Sequence, residues 1–148
     1  MTSVIFLETS PLGMLTNPRR SPVDTACANW LQQRIGSGST IIIPEIADYE
    51  IRRELLRANQ QEGLRRLDAF ILTHQYLPLN TAAMRKAAEL WAHARQSGQP
   101  TASDKTIDGD MILLGQALTY GAEDYIIATT NVGHLSRFAQ ADLWENIG

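Results

Sequence analysis

Four short stretches of consecutive apolar or β-branched residues punctuate the chain: Val4–Leu7, Thr40-Ile-Ile-Ile43, Tyr76–Leu79 and Tyr125–Thr129. Runs of this length without polar alternation fit strands buried on both faces. Thr40–Ile43 is β-branched throughout and stops at Pro44, which suits a buried strand. Between these runs the pattern turns helical. Pro22 stands near the start of a helix that carries Trp30, Leu31 and Ile35 and ends at Gly36. Two helical stretches follow Pro44, roughly Glu45–Ala58 and Glu62–His74. Thr81–Gln96, rich in Ala, Leu, Met, Lys and Glu, is a helix by propensity, broken at Gly98-Gln-Pro100. Asp108–Tyr120 is the last, ending at Gly121. Gly36-Ser-Gly-Ser39 is a short connection between periodic segments, and the chain has no internal repeat. Short apolar strands alternating with helices predict a parallel sheet covered on both faces, an α/β fold in three layers. In such sheets ligands bind beyond the carboxyl ends of the strands, which directs attention to the residues after Leu7, Ile43 and Thr129.

Composition narrows this further. With 148 residues, 44% of them hydrophobic, one domain over residues 1–148 is expected, burying about two thirds of its unfolded surface without a disulfide or structural metal. Thirteen Lys and Arg against sixteen Asp and Glu give a formal charge of −3, so binding of long duplex nucleic acid by bulk charge is excluded and any such contact needs a local patch. Cys27 is the only cysteine, which rules out an intramolecular disulfide and suits a reducing compartment. The N-terminal apolar run is four residues long and ends in Glu8, too short for a membrane span or secretory signal. A cytoplasmic protein without membrane attachment is expected.

Four oxygen-bearing side chains fall at the strand ends. Glu8 follows the first strand, with Thr9 and Ser10 behind it. A carboxylate there is costly to desolvate unless a cation or hydrogen-bond donors meet it, and the plain reading is a solvated or turn-capping Glu8. Glu50 projects inward between Ile46 and Ala47 on the helix after the second strand, whereas Asp48 and Arg52 project elsewhere; the plain reading is an ion pair with Arg53. Asp110 opens the helix whose buried stripe is Leu113, Leu114 and Ala117, and projects into that stripe. Its neighbour Asp108 is accounted for by the helix macrodipole. Thr129-Thr130-Asn131 closes the last strand, where Asn131 offers an amide or simply makes the turn. Carboxylates held close persist only with a cation among them or with raised pKa values. Oxygen ligands with no Cys or His cluster select Mg²⁺ or Mn²⁺ over Zn²⁺, and such ions serve phosphodiester hydrolysis.

The order and spacing of these residues resemble the PIN-domain family, which includes the VapC-type toxin ribonucleases, over nearly the whole chain. The resemblance rests on Phe-Leu-Glu8-Thr9-Ser10, Ile46-Ala-Asp-Tyr-Glu50, Asp110-Met-Ile-Leu-Leu-Gly-Gln-Ala117, and Thr129-Thr-Asn131 followed by His134-Leu-Ser-Arg-Phe138. It implies a Rossmann-like α/β/α sandwich, Mg²⁺ or Mn²⁺ held by Glu8, Glu50 and Asp110, and endoribonuclease activity with Asn131 as a fourth catalytic position. It implies supporting hydrogen bonds from Thr9, Ser10, Asp108 or Thr130, a homodimer, and a small antitoxin protein as partner. Two positions depart from the family pattern. Glu8 stands where Asp is usual, one methylene longer, and Asn131 replaces Asp. A PIN-like binding module without turnover is the alternative these departures leave open.

The other features are read more plainly. Arg52, Arg53, Arg57, Arg65 and Arg66 crowd two neighbouring helices, and Arg19 and Arg20 follow the first strand. They are either solvated helix faces paired with Glu54, Glu62 and Asp68, or a phosphate-binding surface for RNA with Arg52, Arg53 and Arg57 in front. His74, His93 and His134 lack metal-ligand spacing and are read as non-ligands. Tyr49 and Trp91 fall on helical apolar stripes and are expected in the core, as is Cys27. Glu8-Thr-Ser-Pro-Leu-Gly13 is not a dinucleotide-binding glycine loop, and neither Walker A nor a nucleophile elbow is present.

Overall fold

A computed structural model of the chain describes residues 2–97, 104–133 and 135–148, with residues 104–107 described in backbone only. The predicted break at Gly98-Gln-Pro100 and His134 lie outside the described residues. Five strands, β1 (Val4–Leu7), β2 (Thr40–Pro44), β3 (Gln75–Leu77), β4 (Tyr125–Thr129) and β5 (Ala141–Leu143), form one parallel sheet in the order β3-β2-β1-β4-β5. Six helices connect them: α1 (Thr9–Thr16), α2 (Pro22–Gly36), α3 (Glu45–Arg57), α4 (Gln61–Thr73), α5 (Thr81–Gln96) and α6 (Asp104–Tyr120). The α/β fold with a central parallel sheet read from the sequence is the fold observed.

Strand alternation divides the core in two. Ile5, Leu7, Ile41, Ile43 and Ala128 pack on one face with Leu12 and Leu15 of α1, Cys27, Trp30 and Leu31 of α2, and Leu67 of α4. Phe6, Ile42 and Ile127 pack on the other with Ala87 and Ala94 of α5 and Met111, Leu114 and Ala117 of α6. Helix α3 serves both clusters, Ala47 in the first and Ile46 in the second. The C-terminal segment closes the first cluster, where the Trp30 indole N–H donates to the Ile147 carbonyl at 2.8 Å.

The start of α2 follows its sequence: Ser21 and Asp24 form a reciprocal capping box, with Pro22 in the first turn. Several boundaries differ from expectation. The third strand is Gln75–Leu77, and α4 runs Gln61–Thr73. Helix α1 occupies a stretch for which the sequence pattern names no element, and β5 is a fifth strand where the pattern predicts four. Helix α6 begins at Asp104, so Asp110 lies in its second turn and does not open it. Asp48, expected to project elsewhere, is buried, because the Tyr76 hydroxyl (2.8 Å) and Arg52 Nε (3.0 Å) both donate to its carboxylate.

Candidate active site

The strand order reverses at β1, with β2 on one side and β4 on the other, and this switch point is where an open parallel sheet leaves a crevice at its carboxyl edge. Glu8 leaves β1 at that point. Its backbone N–H donates to Ala128 O at 3.0 Å, tying it to β4, and its side chain caps α1 by accepting from the Ser10 N–H at 3.4 Å. Thr129, buried at the end of β4, holds the other carboxylate oxygen: its Oγ1 lies 2.9 Å from Glu8 Oε1 and 3.1 Å from Asn131 O. One hydroxyl proton cannot serve both, and the carboxylate is the stronger acceptor. Burial raises the Glu8 carboxyl above its ordinary pKa; the Thr129 and Ser10 hydrogen bonds oppose this, and the charges of Asp110 and Glu50 add to the rise.

Glu50 of α3 and Asp110 of α6 approach the same edge of the sheet as Glu8, Glu50 through its contact with Thr9 and Asp110 through its neighbour Gly109. Glu50 is half-buried, with its side chain 26% exposed. The Thr9 hydroxyl donates to Glu50 Oε1 at 2.7 Å, and Arg53 stands 3.9 Å from Oε2. Gly109, next to Asp110, faces the same carboxylate. Asp110 is half-buried, whereas Asp108 is exposed. Asn131 reaches the same edge of the sheet but is exposed, and its side-chain oxygen accepts from the Gly133 N–H at 3.1 Å, closing a turn in which Gly133 has φ of +39°. Glu8, Glu50 and Asp110 thus lie toward one edge of the sheet, and the side-chain oxygen of Asn131 is engaged by the turn.

The expected supporting residues divide. Thr9 donates as expected. Ser10 contributes its backbone N–H, and it is Thr129, not the exposed Thr130, that steadies Glu8. Two residues went unnoticed in the sequence: Gly109, and Gln116 of α6. Gln116 is almost fully buried; it accepts from the Ile46 N–H at 3.1 Å and donates to Leu77 O at 2.8 Å. It therefore fastens the first turn of α3, which carries Glu50, to the helix that carries Asp110.

Three of the five arginines on α3 and α4 are committed to neighbouring acids. Arg52 bridges Asp48 and Asp68 at 3.0 and 2.7 Å, Arg57 pairs with Glu54 at 2.8 Å, and Arg65 pairs with Glu62. Arg53 has only the long contact to Glu50 and lies over the Tyr49 ring, 5.2 Å from its centroid. Tyr49 and Trp91 are not core residues: they are 55% and 40% exposed, each with an arginine guanidinium over its ring. Their apolar bodies are covered by a charged neighbour one turn along the helix instead of by the core.

An oxygen-only donor set of three carboxylates suits a hard divalent cation. Among the described residues no three His, Cys, Asp or Glu side chains already stand in a metal-binding arrangement; Thr129 and Ser10 donate to Glu8, and Thr9 and Arg53 engage Glu50. The donor chemistry fits; the rotamers would have to turn toward an ion. No helix among the described residues is long and apolar enough to cross a membrane.

No model of a known protein family matches the sequence, and no curated protein matches it. The fold does have solved counterparts. A chain in the crystal structure of VapBC2 from Rickettsia felis bound to a DNA fragment from their promoter superposes with a TM-score of 0.75 at 17% identity, covering 95% of this chain and 98% of that one. Chains of VapBC-1 from nontypeable Haemophilus influenzae and of DNA-bound VapBC from Salmonella typhimurium give TM-scores of 0.70 and 0.68 at 15% and 18% identity. Each covers 97% of this chain and 99% of its own. At such identities the likeness is one of fold. The chain has the fold of these VapBC proteins along nearly its whole length, the three-layered α/β/α sandwich that its resemblance to PIN domains implies.

Proposed function

We propose that the protein is a metal-dependent endoribonuclease and the toxin of a toxin–antitoxin pair. The observation that carries this reading is geometric: at the switch point of the sheet Glu50 accepts from Thr9, the residue after Glu8, and lies against Gly109, the residue before Asp110. The fold likeness to VapBC assemblies supports a small VapB-like protein as partner, and the family resemblance adds a homodimer and a cytoplasmic setting. Glu8, Glu50 and Asp110 would hold Mg²⁺ or Mn²⁺, which when bound activates water and shields charge on the scissile phosphate. The chain's own groups do the rest. Thr129 and Thr9 donate to Glu8 and Glu50 and keep one oxygen of each oriented. Asp110 supplies the remaining charge from α6. Arg53, which stands 3.9 Å from the Glu50 carboxylate, offers its guanidinium to the RNA backbone.

A second reading, a PIN-like binding module without turnover, is favoured by the engaged oxygen of Asn131 and by the capping role of Glu8. Incubating purified protein with total RNA and Mn²⁺ or Mg²⁺ separates the two. The proposal expects discrete cleavage products that disappear with EDTA and with Asp110→Asn. Equal cleavage by Asp110→Asn would remove the site assignment, and intact RNA under every condition would leave the binding module.

A further inference from the structure

Gly109 has no conformational reason to be glycine. It lies inside α6 with a helical backbone and is absent from the positions with positive φ. Alanine is the better helix former at such a position, so glycine there is a destabilising choice. What the position lacks is room. A Cβ built on Gly109 would stand 2.5 Å from Glu50 Oε2 and 3.1 Å from its Cδ, well inside contact distance. The obstructed atoms are not backbone but the end of a flexible side chain, and that end is the carboxylate held by Thr9 at 2.7 Å.

We infer that Gly109 is a positioning residue: the missing side chain lets the Glu50 carboxylate lie against α6 beside Asp110. The inference rests on the reading of Glu50 and Asp110 as one ion-binding site and adds what makes their approach possible. A methyl group at residue 109 leaves the helices where they are and turns the carboxylate away, which breaks its bond from Thr9 and separates two of the three acids. Stability and site geometry therefore respond in opposite directions.

The test uses Gly109→Ala, Glu50→Asp, their combination, and Thr9→Val, read by Mn²⁺ calorimetry and by thermal melting in EDTA. Gly109→Ala should melt no lower than wild type yet bind Mn²⁺ about tenfold more weakly, one misplaced carboxylate among three. Glu50→Asp shortens the acid and clears the new methyl group, so the double variant should bind no more weakly than Gly109→Ala. Without metal, Thr9→Val should lower the melting temperature of wild type but not of Gly109→Ala, where its bond is already broken. Wild-type Mn²⁺ affinity in Gly109→Ala together with an unchanged Thr9→Val effect would overturn the inference. If wild type binds no Mn²⁺, the ion-site reading fails, and the metal-free coupling between positions 9 and 109 decides alone: present, it upholds the positioning role; absent, it removes it.

Discussion

Replacing Gln116 by leucine isolates the contact that joins the two acid-bearing helices. The substitution keeps the approximate volume and removes the amide. Two backbone groups then lose their partners at once, the Ile46 N–H at the start of α3 and the Leu77 carbonyl at the end of β3. The N–H of Ile46 lies in the first turn of α3, where no intrahelical acceptor exists, and Pro44 at the N-cap has no side-chain oxygen to take its place. The buried Ile46 N–H stripped of its partner costs about 1–3 kcal/mol and the half-buried Leu77 carbonyl less, so the pair predicts a loss of about 2–4 kcal/mol. For a domain near 150 residues each kcal/mol moves the melting temperature by about 2–4 °C, which gives a drop of roughly 4–16 °C. Differential scanning calorimetry on wild type and Gln116→Leu measures it directly. A melting temperature within about 2 °C of wild type would show that solvent or a shifted backbone satisfies both groups, and that Gln116 does not pin α3 to α6.

Other expectations follow from the same contacts. Glu8 is raised by burial, so the folded state favours its protonated form; the destabilisation sets in as pH climbs through the unfolded value of 4.5 and is complete above the raised folded value. Glu8→Gln, which keeps an oxygen for Thr129, should therefore raise the melting temperature at pH 7 and lose that advantage below pH 4.5; a lower melting temperature at pH 7 would refute the desolvation argument. Trp30→Phe removes the bond to Ile147 and part of the packing on Trp144, and chemical denaturation should show a loss of about 2 kcal/mol. No measurable loss would mean that the C-terminal segment is not anchored there.

The strands that end at the site and the helices α2 to α5 were legible because their signals are local: β-branched runs, a capping box, and alanine-rich propensity. Helix α1 was not, because eight residues containing Pro11 and Gly13 resemble a turn, and its cap is a glutamate. Pro11 is tolerated only because the first helical turn needs no N–H there. Strand β5 is three residues long at the edge of the sheet, below the length at which a pattern declares itself. At the site, the positions of Glu8, Glu50 and Asp110 followed from strand ends and helical spacing. Their partners did not, since Thr129 meets Glu8 across 121 residues and Gln116 meets Ile46 across 70. Tyr49 and Trp91 misled because an apolar stripe looks the same whether core or an arginine covers it.

In the proposed function Glu8 after β1, Glu50 of α3 and Asp110 of α6 hold one cation. Titrating Mn²⁺ into the protein by calorimetry, with Asp110→Ala alongside and circular dichroism as a check on folding, tests it most directly. Micromolar binding by wild type that disappears in the folded Asp110→Ala variant is expected. Wild type that binds no Mn²⁺, or a variant that binds it equally well, would contradict it.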